Sequence, residues 1–438
     1  MDKNQHILST RRFLPMFLTQ FFGALNDNVF KQSLLLVITY GWIQHSGNVS
    51  TMNNLAALLF ILPYFIFSAT AGQIADKYER SSLVRKIKVL EIIIMLIATV
   101  GFLLGNIFIL LFALFLIGTH STFFGPIKYA ILPDILKPQE LMSGNALFQS
   151  GTSIAILIGM ILGGAVISSS QGNLWWISLT VTMIAVIGYI CSTFVLKQNV
   201  TENDIEVDWN FFRTSIQTIR YAKSLPLVFL VLLGNSWYWF YGATYLTQIP
   251  QLTQQNLHAS ENVVSLLLTL FSVGIGVGSL LCRKVGGNEV NIRMVPFGAI
   301  GLTVFALYLA ASLAFVPERT GELMNIAQMF TSGFTYYHVM IAVTLLGISG
   351  GFYIVPLYAM MQAYAPRSHR ARVVAANNIF NAIFMVSSAI FSIIILSILK
   401  IDIKILFCIT AILSAIFSFW LLARLKPLAA TTQVSLED

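Results

Sequence analysis

The chain has 438 residues, of which 57% are hydrophobic and only 10% are charged. In a typical soluble domain roughly a quarter of all residues are charged, so this composition excludes a solvated globular protein. The formal net charge of +8 would indicate nucleic-acid binding only if the basic residues clustered on a polar face. They are instead spread over short segments between long apolar runs. We therefore expect a membrane protein and no nucleic-acid partner.

Twelve apolar runs, each close to the length of a membrane-spanning helix, follow one another along the chain. The first run is too long for the core of a signal peptide, and no small-residue cleavage site follows it. This pattern predicts an all-α polytopic membrane protein with twelve transmembrane helices. The runs cover approximately residues 13–40, 55–75, 89–104, 107–127, 142–167, 174–196, 227–246, 263–281, 295–315, 338–361, 373–399 and 405–423.

The basic residues are distributed unequally between the two sides of the membrane. Segments on the side of the two termini, with Lys88 counted among them, hold 22 of the 26 Lys and Arg residues. The opposite loops hold only Arg319, Lys400 and Lys404, and Lys31 lies inside the first run. By the positive-inside rule, both termini are predicted to be cytoplasmic.

The longest predicted cytoplasmic connection divides the chain into two halves. We expect an N-terminal six-helix bundle over 1–196, a linker over 197–225, a C-terminal six-helix bundle over 226–424 and a cytoplasmic tail over 425–438. An internal repeat supports this division, since Pro126 and Pro356 are 230 residues apart and Asn145 and Asn377 are 232 residues apart. Parallel repeats of this kind form the central cavity of many transporters.

The linker itself contains a candidate amphipathic helix. Asp208 can cap this helix, and one face then carries Trp209, Phe212, Ile216 and Ile219. Such a helix is typical of segments that lie on a membrane surface. Two interpretations stay open, a linker that rests against lipid and a dedicated binding site for a partner.

The connection between the second and third runs combines glycine, an acid and several bases in a tight turn. It resembles the loop signature of the major facilitator superfamily, in which the acid and bases latch the two halves on the cytoplasmic side. Glu79 and Ser81 depart from the signature. The alternative is a charged turn that merely obeys the positive-inside rule. The predicted gating residues are Gly72, Asp76, Lys77 and Arg80.

The first run carries an unusual polar stretch, Asn26-Asp27-Asn28, with Lys31 one turn later. Asp27 is fifteen residues beyond Arg12, which places it near the middle of the bilayer. An ionised side chain at that depth costs about 3 kcal/mol or more unless it is paired, and Lys31 can pair with Asp27 along the helix face. The pair is either a structural ion pair or part of a polar cavity that binds substrate. We favour the cavity because of the neighbouring amides.

Other polar or aromatic side chains lie within the predicted spans of both halves. Each alone either joins helices by hydrogen bonds or contacts substrate. Trp237 lies mid-span between two glycines, and two interpretations stay open, an interfacial aromatic belt and a bendable segment that faces the cavity. The candidate substrate-binding residues beyond the first run are Glu91, Lys128, Asn145, Gln149, Trp237, Asn377 and Asn381.

Two stretches, residues 21–31 and 124–133, carry a more specific likeness. With them the chain resembles the bacterial lysophospholipid transporter family, a branch of the major facilitator superfamily. The resemblance implies inward movement of lysophosphatidylethanolamine and lysophosphatidylglycerol across the bacterial cytoplasmic (inner) membrane, for reacylation. It also implies an acyltransferase/acyl-carrier-protein synthetase as a cytoplasmic partner, which we expect on a separate polypeptide. No cofactor and no metal are expected.

A lysophospholipid offers an anionic phosphate, often a cationic amine, and one acyl chain. Asp27 could contact the amine and Lys31 or Lys128 the phosphate, while the amides bond to oxygen atoms. One alternative is a facilitator that carries another amphiphile, such as a drug or a siderophore. A second is a membrane-embedded enzyme, for which His120 beside Ser121 is a weak indication because no orienting acid accompanies them in the sequence.

Overall fold

The computed structural model of the protein describes residues 7–39, 43, 49–169, 173–197, 207–287, 292–317, 319 and 321–437. Within these residues the chain forms twelve helices of 19 to 35 residues. They are α1 (Leu14–Thr39), α2 (Val49–Lys77), α3 (Arg80–Leu103), α4 (Ile107–Ala130), α5 (Leu141–Ser169), α6 (Trp175–Thr193), α7 (Pro226–Gln251), α8 (Glu261–Gly286), α9 (Val295–Ala314), α10 (Phe334–Tyr364), α11 (Arg370–Ile393) and α12 (Ile403–Glu437). A shorter helix, Phe211–Lys223, precedes α7 and is called the linker helix.

These helices correspond to the twelve apolar runs, and the predicted all-α membrane fold is confirmed. Among the described residues, nine helices are apolar and long enough to cross a membrane. A tenth is added if the linker helix and α7 count together as one span. Of the twelve, α1 and α3 fall outside this set, and both carry charged residues within an apolar run. The candidate site is built on these two helices and on α4.

The chain folds into two compact units. Unit 1 comprises Met1–Gly144, Ile154–Ser224 and Ala365–Ile379, and unit 2 comprises Asn145–Ser153, Leu225–Tyr364 and Phe380–Asp438. The division follows the two halves of the sequence except at one short segment from each half. The helix α12 continues to Glu437, so residues 425–437 of the predicted tail are helical.

In unit 1, helices pack in pairs around a core of aliphatic and aromatic side chains. The helix α2 packs against α4, α3 packs against α4 and α6, and α1 packs against α6. Gly159 and Gly163 of α5 bring α5 against α1, because an added Cβ would come within 2.8 Å of the Leu25 carbonyl and 2.9 Å of the Val29 carbonyl, respectively. Small residues at such contacts let two helix backbones approach closely.

In unit 2, α10 packs against α7, α8 and α9, and α12 packs against α7 and α9. Gly274 and Gly278 of α8 lie directly on α10, where an added Cβ would overlap the carbonyls of Thr344 and Ile348. The interpretation of both glycine pairs as helix-packing contacts is therefore confirmed.

The substitution Gly278→Ala should destabilise the protein by about 1–3 kcal/mol, since one methyl group overpacks the contact between α8 and α10. Gly242 is a matched control in α7, because nothing lies within 4 Å of a Cβ added there. Equilibrium unfolding by sodium dodecyl sulfate in mixed micelles measures both variants. Equal stability of Gly278→Ala and Gly242→Ala would contradict the packing assigned to Gly278.

Candidate functional site

Asp27 of α1 is a partly exposed carboxylate with one unused acceptor. Its Oδ2 accepts a hydrogen bond of 2.6 Å from the hydroxyl of Ser121 in α4. Its Oδ1 is buried and, among the described residues, has no hydrogen-bond partner. The carboxylate is therefore held in place on one side, and its other oxygen is a buried acceptor with no donor among the described residues.

The prediction that Asp27 and Lys31 form a direct ion pair is wrong. The two groups interact through space, but the ion pairs found among the described residues do not include them. The Lys31 ammonium lies 4.3 Å from the ring centroid of Phe60, and the Asp27 carboxylate accepts a hydrogen bond from the Ser121 hydroxyl instead. A cation–π contact and a hydroxyl donor thus replace the contact that helix spacing alone predicts.

A second cationic group belongs to the same unit. Lys128 of α4 is partly exposed, and its ammonium lies 5.0 Å from the ring centroid of Tyr129. Asn28 is also partly exposed, but its amide donates to the Ala24 carbonyl of its own helix at 2.7 Å. Three charged residues within the apolar runs of unit 1, Asp27, Lys31 and Lys128, are therefore partly exposed rather than fully buried.

Glu91, by contrast, is the centre of a sealed cluster. Its Oε2 accepts from Lys88 at 2.5 Å, its Oε1 accepts from Asn26 at 2.9 Å, and the carboxylate is fully buried. His120 lies beside it, with 3.3 Å from Nε2 to Oε2, but neither ring nitrogen has a hydrogen-bond partner within the described part of the chain. Because two opposite charges share this site, the cluster is a neutral support behind Asp27.

Two members of this cluster were not predicted from the sequence, namely Lys88, which was counted among the cytoplasmic charges, and His120. Lys88 is fully buried, three residues from Glu91 on the same helix. Gly23 and Gly188 leave room for its ammonium, since a Cβ at Gly23 would lie 2.7 Å from Nζ. The available signal was the spacing of a base and an acid by three residues inside an apolar run.

The predicted site residues of unit 2 serve mainly as internal contacts in this structure. Asn145 exchanges hydrogen bonds of 2.8 and 2.9 Å with Gln362, and Asn381 accepts one of 2.9 Å from Ser236. Trp237 stacks between aromatic rings in the interior. Gln149 is partly exposed, and Asn377 of unit 1 is buried. Their assignment to the substrate stays a prediction.

The gating motif makes a defined contact with the first turn of α11. Asp76 is buried, and its two carboxylate oxygens accept from the backbone N–H groups of Ala371 and Arg372, each at 2.9 Å. These amides have no partner within their own helix, and the helix dipole favours an anion there. Gly72 permits the approach, because a Cβ there would lie 2.6 Å from the Cβ of Ala375.

Two arginines and a second acid complete this contact, which we call the latch. Arg80 lies 3.5 Å from Asp76 and also pairs with Asp134, and Arg370 lies 3.3 Å from Asp134. Asp134 and Arg370 were not identified from the sequence, since they lie far from Asp76 along the chain. Lys77 takes part in no ion pair among the described residues.

The substitution Asp76→Asn should loosen the first turn of α11 without changing its packing. The loss of the charge removes about 1–2 kcal/mol, so the Ala371 and Arg372 amides should exchange about five- to thirtyfold faster. Hydrogen–deuterium exchange measures this directly. The Phe108 amide, which Asn106 caps at 2.9 Å, is the internal control. Unchanged exchange at Ala371 and Arg372 would contradict the role of Asp76.

Comparison with known proteins identifies the family. The sequence profile described as Major Facilitator Superfamily matches residues 16–252 and 238–436. The chain belongs to the major facilitator superfamily. As in other facilitators, the fold is shared more widely than the sequence. The human organic anion transporter MFSD10 has a TM-score of 0.70 at 12% identity, covering 94% of this chain and 99% of that one. The fucose:proton symporter FucP of E. coli has a TM-score of 0.67 at 14% identity, covering 94% and 98%.

Closer sequence relatives of this facilitator are named lysophospholipid transporters. The protein LplT of Cronobacter sakazakii is 24% identical over 371 residues, which is 82% of each chain. LplT of Pectobacterium carotovorum is 25% identical over 363 residues, 81% of this chain and 79% of that one. Fold and relatives together make this facilitator a multi-pass membrane protein of a transporter family.

Proposed function

We propose that the chain transports lysophospholipids, chiefly lysophosphatidylethanolamine and lysophosphatidylglycerol, inward across the bacterial cytoplasmic membrane. The observation that carries the proposal is the Asp27 carboxylate, whose Oδ1 has no donor among the described residues, in the same unit as the partly exposed residues Lys31 and Lys128. The named relatives support the same substrate class.

The charges match the substrate in sign. The amine of an ethanolamine headgroup can donate to Asp27 Oδ1, which has no donor among the described residues. The phosphate can pair with the ammonium group of Lys31 or Lys128. Both lysines lie near aromatic rings, so their surroundings are partly apolar and suit the glycerol and acyl parts. Phosphatidylglycerol derivatives lack the amine, and for them Asp27 would accept from a glycerol hydroxyl.

The proposed transport cycle alternates between two states of the bundles, with the latch closing one of them. Asp76 would hold the start of α11 in the state described here and release it in the other. Reacylation of the arriving lipid by a cytoplasmic acyltransferase/acyl-carrier-protein synthetase would draw transport inward without a coupled ion. This partner and the inner-membrane location belong to the proposal.

The test uses the purified chain in proteoliposomes with fluorescent lysophosphatidylethanolamine on the outer face. We expect time-dependent movement to the inner face, measured by loss of access to a membrane-impermeant quencher, well above that in empty vesicles. A short-chain amphiphile of similar charge but without a phosphate should compete poorly. Movement equal to that in empty vesicles, from a protein shown to be folded, would sink the lysophospholipid proposal. Efficient competition by the phosphate-free amphiphile would favour the alternative substrate class.

A further inference from the structure

The linker helix exposes its large apolar side chains and buries its small ones. It packs against α2, where Phe211 contacts Phe67 with 5.0 Å between the ring centroids. Its buried residues are Thr214, Thr218 and Ala222. The side chains of Trp209, Phe212 and Ile216, which continue one face, are 65%, 75% and 58% exposed. We call these three residues the outer face, and such a cluster requires an apolar medium.

Basic residues accompany the outer face. Arg213, Arg220 and Lys223 of the linker helix are all exposed. The one ion pair of Arg213, with Asp208, spans 3.7 Å while the arginine side chain stays 70% exposed. A helix that lies in the surface of an anionic membrane typically combines bulky apolar residues with several cations, as this helix does.

A cavity of about 480 Å³ lies beside the outer face, entirely within unit 1. Its lining combines one ammonium group with two aromatic and two aliphatic side chains, and Lys77 is the cation that the latch leaves without an ion pair. The ammonium of Lys77 lies 5.6 Å from the ring centroid of Tyr78. This combination suits a phosphate attached to hydrocarbon. The lining residues are Ile74, Lys77, Tyr78, Val207 and Trp209.

The same segment contacts both partners of the latch. Gln73, close to Asp76 on α2, accepts from the backbone N–H of Asp208 at 3.1 Å. At the other end of the linker helix, Tyr221 packs on His369 with 5.0 Å between the ring centroids. The guanidinium carbon of Arg372 lies 5.8 Å from the same Tyr221 ring. Whatever holds the linker helix in place therefore also holds the start of α11 near Asp76.

We propose that this cavity and the outer face bind an anionic phospholipid of the adjoining membrane leaflet, which thereby stabilises the latch. The phosphate contacts Lys77, and the acyl chains cover Trp209, Phe212 and Ile216. Lipid is the occupant because the cavity adjoins the last turn of α2, a membrane-spanning helix, and because its charge is positive. By the distribution of basic residues this leaflet is the cytoplasmic one. The site is separate from Asp27 and does not depend on what is transported.

The experiment places the purified full chain in phosphatidylcholine nanodiscs that contain brominated phosphatidylglycerol, a quencher of tryptophan fluorescence. The fluorescence of Trp209 is obtained as the difference in tryptophan fluorescence between the wild type and Trp209→Phe, and we call it the Trp209 signal. We expect brominated phosphatidylglycerol to quench this signal more than brominated phosphatidylcholine at equal content. Lys77→Gln should weaken the apparent phosphatidylglycerol affinity about fivefold, and Lys77→Arg should restore it.

The matched control is Lys284→Gln, an exposed lysine at the end of α8 in unit 2, which should leave the Trp209 signal unchanged. Phosphatidylglycerol should also slow amide exchange at Ala371 and Arg372 in the wild type but not in Lys77→Gln. Equal quenching by the two lipids, or an affinity that Lys77→Gln does not change, overturns the proposal. Absence of quenching by any lipid shows that something other than lipid covers the outer face, and it overturns the proposal as well.

Discussion

Replacement of Asp27 by alanine should reduce lysophospholipid uptake at least about thirtyfold while the protein remains folded in the membrane. Loss of one partner of a desolvated charged contact costs about 2 kcal/mol or more, which corresponds to that factor. The Ser121 hydroxyl also loses its acceptor, the Asp27 Oδ2. Initial rates of labelled lysophosphatidylethanolamine uptake in proteoliposomes measure the effect.

The control for Asp27→Ala is Glu322→Ala, which removes an exposed acid elsewhere in the chain and should transport normally. Comparison of headgroups adds a second control. If Asp27 contacts the amine, the defect should be smaller for lysophosphatidylglycerol than for lysophosphatidylethanolamine. Normal uptake by Asp27→Ala would show that the polar stretch of α1 is structural and that the proposed binding site is wrong.

The second large effect concerns the sealed cluster behind Asp27. Glu91→Gln should destabilise the folded protein by about 3–5 kcal/mol, because it leaves the Lys88 ammonium buried without a compensating charge. The side-chain oxygen of glutamine can still accept the hydrogen bond from Asn26, so the substitution removes the charge while it keeps the size and shape of the side chain. The free energy of unfolding in mixed micelles, obtained by titration with sodium dodecyl sulfate, measures it.

A double variant separates the ion pair from its surroundings. Lys88→Met combined with Glu91→Gln removes both charges and should be more stable than Glu91→Gln alone. Its loss of stability should be smaller than the sum of the losses of the two single variants in a double-mutant cycle. Additive losses would mean that Lys88 and Glu91 do not act as a pair. Specific uptake per folded molecule should change less than stability, since neither side chain is exposed.

Much of the fold was predictable from the sequence because the membrane restricts it. Backbone groups in a bilayer must bond within their own helix, so an apolar run of about 20 residues has few alternatives. The paired glycines of α5 and α8 were predictive for a similar reason, since only small side chains permit such close contacts. The exceptions are α1 and α3, where charges interrupt the apolar pattern.

The site was less predictable, because spacing along one helix does not identify neighbours on another. Asp27 was singled out correctly as a mid-span acid, but its contact is Ser121 of α4 rather than Lys31 of its own helix. Trp237 lies in a segment with the composition of a cavity wall, and in the structure it stacks in the interior of unit 2.

The sequence by itself determined an all-helical membrane protein with a duplicated chain and a facilitator loop motif, since hydropathy and short-range pattern suffice for these. Only the tertiary structure decided which charged side chains are buried in ion pairs and which keep an unpaired atom. Lys88 and Glu91 neutralise each other in the interior, whereas Asp27 keeps an unused oxygen. The reason is physical: the cost of a buried charge depends on the partners that other helices bring to it, and these partners are distant in the chain.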